Sequence, residues 1–255
     1  MPSVRCGWLH DIVWDESSKE PDKFLQQDSV HVWSIFISSN LDLIPKFSEI
    51  LSSDEHERAS KYHQQKDTDR FLVSRIALRI LLSRYLKIPP QEIGFVKDEN
   101  KKPYIENKGK ENLHYNVSHS GDCILIAISN SEVGADIEKI DEDFPYQEIM
   151  IQNFSAIEMQ FINSTKKSAE NFYALWTRKE SLLKATSKGI DESLPDVPSL
   201  EGMHKIKKEI IGSENDWMVN TFNIEKDYIG SIGCRYNNPN IRFYNANKFL
   251  MLLNA

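Results

Sequence analysis

Two carboxylates separated by one residue, Asp136 and Glu138, form the first pattern that could do chemistry. They follow Gly134 near the end of a predicted strand, where alternate side chains point to the same side of a sheet. At roughly 7 Å and an intermediate effective dielectric constant, two such charges repel by about 2 kcal/mol. A hard divalent cation, which prefers oxygen ligands, would remove this repulsion. The alternative is an acidic pair on a solvated strand face, the commoner role of an isolated Asp-x-Glu pattern.

A second pattern lies on a predicted long helix, where Glu180 and Lys184 are four residues apart and share one face. On an exposed face, such a pair contributes only about 0.2–0.5 kcal/mol. If this face meets the acidic strand, Glu180 instead completes a magnesium site of three carboxylates, and Lys184 can neutralise a phosphate. Trp176, one turn earlier, is assigned to the core rather than to a ligand.

Ser118 and His119 lie where a predicted strand runs into a turn at Ser120 and Gly121. Their side chains and the backbone N–H groups of the turn could donate hydrogen bonds to a phosphate. A single histidine beside a turn is more often an ordinary surface residue. Taken alone, each of the three patterns therefore has a structural alternative.

The elements before these residues alternate between strands and helices. Ser52 and Glu55 have the spacing of a capping box, which predicts a helix start. A longer helix follows from apolar residues at helical spacing, and Pro89 ends it. The predicted elements are a strand at 30–37, helices at 52–64 and 69–87, and short strands at 93–96 and 103–105. The first thirty residues give no clear prediction.

The second part of the chain repeats the same kinds of element. Ser155 and Glu158 form another capping-box pattern, and Gly189 is predicted to cap the long helix that carries Glu180. The predicted elements are strands at 113–117, 123–129 and 133–137, a short helix from 155, a helix at 169–188 and a hairpin at 217–224 and 228–236. An α+β protein of two packed halves, joined near residues 129–133, accounts for this order.

Composition narrows the class of protein. The 255 residues are 40% hydrophobic and carry a net charge of −7, so the chain can build a sizeable core and does not suit general nucleic-acid binding. The three cysteines, Cys6, Cys123 and Cys234, show neither metal-ligand nor disulfide spacing. We find no apolar run long enough to cross a bilayer and no signal-peptide pattern. The expectation is a cytoplasmic protein without a membrane segment.

The order of the three patterns is more specific than any one of them. Together they resemble the Sfp-type 4′-phosphopantetheinyl transferases. The likeness rests on residues 116–120, 134–138 and 176–184 and extends to 70–79, 102–103, 154–155 and 188–190. It covers roughly residues 52–194, and only loosely the first fifty and last sixty residues.

The resemblance implies a fold of two similar α/β halves related by a pseudo-twofold axis, with coenzyme A bound in the cleft between them. Each half would be a small, mainly antiparallel sheet packed with a long helix. We expect residues 1–130 to form the half on the 3′-phosphate and adenine side of coenzyme A. Residues 131–255 would carry the magnesium site and the catalytic helix. Because the two halves already build a cleft, a monomer is expected.

The resemblance also assigns the reaction. The phosphopantetheine arm of coenzyme A moves to a serine of an apo acyl, peptidyl or aryl carrier protein, and 3′,5′-ADP leaves. Asp136, Glu138 and Glu180 match the family's Mg²⁺ ligands. Glu180 is the expected general base, and Lys184 matches the lysine that contacts the phosphates and stabilises the departing group.

Further positions match coenzyme A contacts in the family. His119, with Ser118 beside it, corresponds to a pyrophosphate ligand, and Arg70 to a residue that reaches the 3′-phosphate. Lys102 corresponds to a lysine near the adenine and phosphate end, although this chain has Lys101 where most members have glycine. Two more basic residues are the nearest candidates for the 3′-phosphate, with an alignment that slips by one position: Arg58 and Lys61.

Two other functions stay open at this point. A metal-dependent phosphohydrolase or nucleotidyl transferase could use the same three carboxylates, although no P-loop accompanies them. A non-catalytic binder of coenzyme A or of carrier proteins is the other alternative. The presence of all three predicted metal ligands and of Lys184 weighs against the loss of catalysis.

Overall fold

The computed structural model describes residues 1–15, 29–100, 102–106, 113–235 and 239–246, and these contain twelve strands and seven α-helices. The strands are β1 (Ser3–Trp8), β2 (Trp14–Asp15), β3 (Ser29–Phe36), β4 (Phe95–Lys97), β5 (Pro103–Ile105), β6 (His114–Ser120), β7 (Cys123–Ser129), β8 (Val133–Lys139), β9 (Gly202–Lys205), β10 (Trp217–Ile224), β11 (Tyr228–Arg235) and β12 (Asn240–Asn245). The helices are α1 (Leu43–Phe47), α2 (Ser53–Ser60), α3 (Gln65–Leu86), α4 (Gln147–Asn153), α5 (Ala156–Ile162), α6 (Ser168–Thr186) and α7 (Lys208–Ile211). Lys101 and Tyr236 lie outside the described residues.

Both predicted long helices are present, as α3 and α6, and both capping boxes are confirmed. The Ser52 hydroxyl accepts a hydrogen bond from the N–H of Glu55, and the Glu55 carboxylate accepts one from the N–H of Ser52. The predicted cap of α6 is wrong by two residues. Ser187, with φ of 60°, takes the left-handed conformation directly after the helix, and Gly189, which also has a positive φ of 72°, lies two residues further on. This conformation lets the N–H of Ser187 donate to the Leu183 carbonyl and satisfies one of the last carbonyls of the helix.

The two halves share one topology, which confirms the predicted α+β fold. In each half a strand is followed by helices and then by a hairpin whose second strand pairs with the first strand. In the first sheet the strand order is β2-β12-β3-β7-β6, and in the second it is β8-β11-β10-β1-β9. The strand–helix–hairpin units are thus β3, α3, β6 and β7 in the first half and β8, α6, β10 and β11 in the second. Within these units the pairing is antiparallel.

The terminal strands cross between the halves. The first strand, β1, pairs in parallel with β10 of the second sheet, and the last strand, β12, pairs in parallel with β3 of the first sheet. The division of the chain into two domains, at residues 1–130 and 131–255, remains a prediction. The sheets show that each end of the chain completes the sheet of the opposite half.

The core consists of four layers. Helix α3 covers the outer face of the first sheet, and α6 covers the outer face of the second. Along β7, Ile124, Ile126 and Ile128 belong to the core under α3, while Leu125 and Ala127 pack between the two sheets. This arrangement sets the edge strand β6 beside the edge strand β8. No helix in the described part of the chain is long and apolar enough to span a membrane.

Candidate active site

The predicted site residues of β6 and β8 meet side by side, because alternate residues of each strand point toward the other. The Ser118 hydroxyl donates to Oδ1 of Asp136 at 2.9 Å. Two residues further along both strands, the Ser120 hydroxyl donates to Oε2 of Glu138 at 2.7 Å. The two predicted carboxylates are therefore held by serines of the neighbouring edge strand instead of pointing into solvent.

Glycine at position 134 allows α6 to lie directly on β8. A Cβ atom at Gly134 would come within 2.1 Å of the Ser181 carbonyl oxygen and 2.3 Å of the Ala185 nitrogen. Gly233 of β11 pairs with Gly134 and faces the same Ser181 carbonyl oxygen, which would lie 2.8 Å from a Cβ atom at position 233. Because neither strand has a side chain at this point, the helix backbone approaches closely enough for Lys184 to reach Asp136 of β8.

Lys184 links the helix to the strand. Its ammonium group donates to Oδ1 of Asp136 at 2.6 Å and to the Ser118 hydroxyl at 3.4 Å. It also lies 3.8 Å from a carboxylate oxygen of Glu180 on its own helix. The lysine therefore contacts the acidic strand and is not an exposed helix-surface ion pair.

Burial shapes the acidity of the whole cluster. Loss of solvation raises the pKa of Asp136, against the lowering effect of Lys184. The pKa of Glu138 is raised to about 7, first by burial and then by the charge of Asp136. Burial also raises the pKa of Glu180. The pKa of Lys184 is raised, because the attraction of Asp136 and Glu180 outweighs the opposing effect of burial.

The donor set suits a divalent cation by charge and by atom type. Oδ2 of Asp136 is buried and has no hydrogen-bond partner. Burial raises the pKa of all three carboxyls, and a cation beside them would favour their ionised forms. Within the described ranges, however, no three His, Cys, Asp or Glu side chains are arranged to hold one ion. The metal assignment of Asp136, Glu138 and Glu180 thus stays a prediction.

His119 and Arg70 border this cluster. The His119 side chain is exposed at the end of β6, and its pKa is lowered by partial desolvation and then by the charges of Arg70 and Lys184. Arg70 projects from α3 and forms an ion pair of 2.8 Å with Asp67. The charge of the Arg70 guanidinium on α3 therefore acts on His119, and the assignment of both residues to one phosphate site stays a prediction.

The other predicted basic contacts have different surroundings. The Arg58 guanidinium stacks on the Phe71 ring at 5.1 Å from its centroid, and Lys61 forms an exposed ion pair of 2.6 Å with Glu57. The Lys102 ammonium group is directed at backbone carbonyls of β8 and α6. Burial lowers the pKa of Lys102 to about 8. The structure brings none of these three side chains into contact with the carboxylate cluster.

Two polar residues of the site belong to the motif at 116–120 but were given no role from the sequence. Asn116 accepts the N–H of Ala135 at 2.9 Å and fixes β6 to β8, and Ser120 holds Glu138. Their spacing could have indicated these roles, because Asn116, Ser118 and Ser120 occupy alternate positions of one strand and therefore point to the same side. A third, Lys179, is fully buried and pairs with Glu158 at 3.0 Å, so it supports the fold beside the site.

Comparison with known proteins assigns the chain to a family. Residues 42–131 match the family model described as 4′-phosphopantetheinyl transferase, N-terminal, and residues 132–230 match the 4′-phosphopantetheinyl transferase superfamily. The HetI 4′-phosphopantetheinyl transferase of Nostoc sp. is 30% identical over 176 residues, which cover 68% of this chain and 74% of that protein. The chain belongs to the Sfp-type 4′-phosphopantetheinyl transferase family. It is therefore an enzyme of this transferase class.

Further relatives agree with this membership. slr0495 of Synechocystis sp., a proposed 4′-phosphopantetheinyl transferase, is 36% identical over 183 residues, covering 70% of this chain and 74% of that protein. The Sfp transferase of Bacillus subtilis is 28% identical over 189 residues, covering 72% of this chain and 81% of its own length. The boundary between the two matched family regions falls between β7 and β8, so the carboxylate cluster draws Ser118 from the first region and its carboxylates from the second.

Proposed function

We propose that this transferase moves the 4′-phosphopantetheine arm of coenzyme A onto a serine of an apo acyl, peptidyl or aryl carrier protein and releases 3′,5′-ADP. The observation that carries the proposal is the cluster of Asp136 and Glu180, both buried, with the partly buried Glu138 and Lys184 at the junction of the two halves. It combines acceptors for a cation with a positive charge for a phosphate. The matched family regions on both sides of that junction support the same reaction.

In the proposed reaction, the carrier serine oxygen forms a bond to the pyrophosphate phosphorus that bears the pantetheine. The bond from that phosphorus to the bridging oxygen breaks, and 3′,5′-ADP leaves with the electron pair. Glu180 accepts the proton of the serine hydroxyl. Its raised pKa suits this role, since a carboxylate of higher pKa is a better proton acceptor and general-base catalysis is worth about 10²–10⁴ in rate.

Positive groups of the site would bind and neutralise the phosphates. Lys184 is within reach of the carboxylates and can exchange Asp136 for the oxygen of the departing phosphate. We assign His119 and Ser118 to the pyrophosphate, and Arg70, Arg58 and Lys61 to the 3′-phosphate. A guanidinium suits a phosphate monoester because it can donate two parallel hydrogen bonds.

We include Mg²⁺ in the proposal, with Asp136, Glu138 and Glu180 as its protein ligands. When bound, the cation supplies charge neutralisation for the pyrophosphate, which phosphoryl transfer needs. The unpaired Oδ2 of Asp136 and the raised pKa of Glu138 are the features of this chain that support it.

The partners follow from the same chemistry. Carrier proteins of this class are usually acidic near the modified serine, and this chain is acidic as well, with a net charge of −7. Association would therefore depend on local basic or apolar patches rather than on net charge. We propose a cytoplasmic monomer that acts in fatty-acid, polyketide or nonribosomal-peptide biosynthesis.

Chromatographic measurement of 3′,5′-ADP tests the reaction class. We expect release of 3′,5′-ADP from coenzyme A only when apo carrier protein and Mg²⁺ are both present. Release without carrier would show a phosphohydrolase instead. A tight coenzyme A complex with no release under any condition would show a non-catalytic binder.

A further inference from the structure

Lys102 reaches across the junction between the two halves. It lies immediately before β5, in a hairpin that belongs to the first half of the chain. The turn of that hairpin is closed twice, because the N–H of Lys102 donates to Oδ1 of Asp98 at 2.8 Å and the N–H of Asp98 donates to the Lys102 carbonyl at 3.0 Å. The lysine therefore extends from a well-fixed backbone position.

The ammonium group of Lys102 contacts the two elements that carry the catalytic cluster. It donates to the carbonyl of Val133, the first residue of β8, at 3.3 Å. It also donates to the carbonyls of Lys184 and Ala185, at 2.5 Å and 3.1 Å, in the last turn of α6. The last four carbonyls of a helix have no partner within the helix, and a cation there is also favoured by the helix dipole.

Donor counting argues against a ligand role for this lysine. An ammonium group has three N–H donors, and the three carbonyls of Val133, Lys184 and Ala185 can occupy all of them. A phosphate of coenzyme A could be bound only if at least one of these carbonyls were given up. The contacts instead fix the backbone of Lys184, the residue whose side chain contacts Asp136.

We propose that Lys102 is a positioning residue that holds the end of α6 against β8, so that the Lys184 side chain stays aligned with Asp136 and with the reacting phosphate. This inference rests on the proposed function, because Lys184 acts on coenzyme A only if the chain catalyses the transfer. It departs from the adenine or phosphate contact that the family resemblance implies for this position.

Steady-state kinetics with two donor substrates distinguishes a positioning role of Lys102 from a direct contact with coenzyme A. Lys102→Met keeps the length of the stem and removes the ammonium group. Because misplacement of a catalytic group by about 1 Å can cost on the order of 100-fold, we expect kcat to fall on the order of 10-fold to 100-fold. The same loss is expected with coenzyme A and with dephospho-coenzyme A, which lacks the 3′-phosphate. Lys102→Arg can donate to the same carbonyls and should restore much of kcat.

A contact between Lys102 and coenzyme A would give a different result. Loss of a 3′-phosphate contact would weaken the reaction of coenzyme A and leave that of dephospho-coenzyme A unchanged. Loss of an adenine contact would raise KM for both donors at constant kcat. Either pattern would overturn the proposal. Lys97→Met, which removes an exposed lysine from β4 of the same hairpin, is the matched control and should leave both parameters unchanged.

Hydrogen exchange without substrate tests the positioning contact independently of catalysis. In Lys102→Met, we expect amides at the end of α6 to exchange on the order of 10-fold faster, including the Lys188 N–H that donates to the Leu183 carbonyl. Lys97→Met should match the wild type. Unchanged exchange at residues 184–188 would reject the proposal. If the wild-type chain transfers from neither donor, the proposed function fails, while the exchange experiment still decides the role of Lys102.

Discussion

Replacement of Lys184 by methionine should expose how strongly the carboxylate cluster depends on one ammonium group. At 2.6 Å and an effective dielectric constant of about 20, the attraction between Lys184 and Asp136 is about 6 kcal/mol. Part of this is offset by the desolvation of both groups, and removal of one partner of a buried pair typically costs about 3–5 kcal/mol. Because 32% of the Lys184 side chain is exposed, we expect the lower end, a loss of about 3 kcal/mol in the free energy of unfolding at pH 8.

The loss should shrink in acid. A carboxyl whose pKa is higher in the folded state than in the unfolded state takes up protons on folding, so its folded state is favoured at low pH and loses stability as the pH rises. The pKa of Asp136 is already raised, and that of Glu138 is about 7. Without Lys184 both carboxyls should protonate more readily. Between pH 8 and pH 5, the deficit of Lys184→Met relative to the wild type should therefore decrease.

Urea unfolding at pH 5, 7 and 8 measures this deficit directly. Lys188→Met is the control, because it removes a lysine just beyond the same helix, from a partly exposed ion pair with Asp191. The pKa of Asp191 is about 2, so Asp191 stays ionised across this range. The control should lose less than about 1 kcal/mol, equally at all three pH values. A deficit of Lys184→Met that is absent, or that does not change with pH, would refute the reasoning.

Two further substitutions test other parts of the site. Glu180→Gln should lower transfer on the order of 10²–10⁴-fold without unfolding the protein, because it removes the proposed base and a metal charge; near-normal turnover in a steady-state assay would reject that role. Gly134→Ala should destabilise the fold by at least about 1–3 kcal/mol in urea unfolding, since its Cβ would lie 2.1 Å from the Ser181 carbonyl oxygen. Gly7→Ala, on β1 of the same sheet with open space around its Cβ, is the control, and equal stability of the two variants would contradict the close contact of α6 with β8.

Much of the fold was predictable because the elements near the site carry strong local signals. The apolar periodicity of α3 and α6 and the capping boxes at Ser52 and Ser155 are local properties of the chain, and they placed these elements to within a few residues. The terminal strands β1 and β12 were not predicted. Both depend on parallel pairing with strands far away in the sequence, and such pairing leaves little trace in a short segment.

For the candidate site, the sequence predicted which side chains share a strand or helix face, but not the contacts between the elements. Alternation along β8 correctly put Asp136 and Glu138 on one side, and the helical spacing put Glu180 beside Lys184. The sequence alone did not show that Lys184 would contact Asp136, because that contact requires the glycine at position 134. Nor did it show Lys102 on backbone carbonyls, because this depends on how the hairpin of the first half meets the end of α6.

Intact-mass spectrometry of an apo carrier protein, incubated with this protein, coenzyme A and Mg²⁺, is the most direct test of the proposed reaction. We predict a mass gain of one phosphopantetheine on the carrier, lost when a chelator is added or when the carrier serine is replaced by alanine. No mass gain across fatty-acid and peptide-synthetase carriers, with the protein folded and coenzyme A bound, would contradict the proposed transfer.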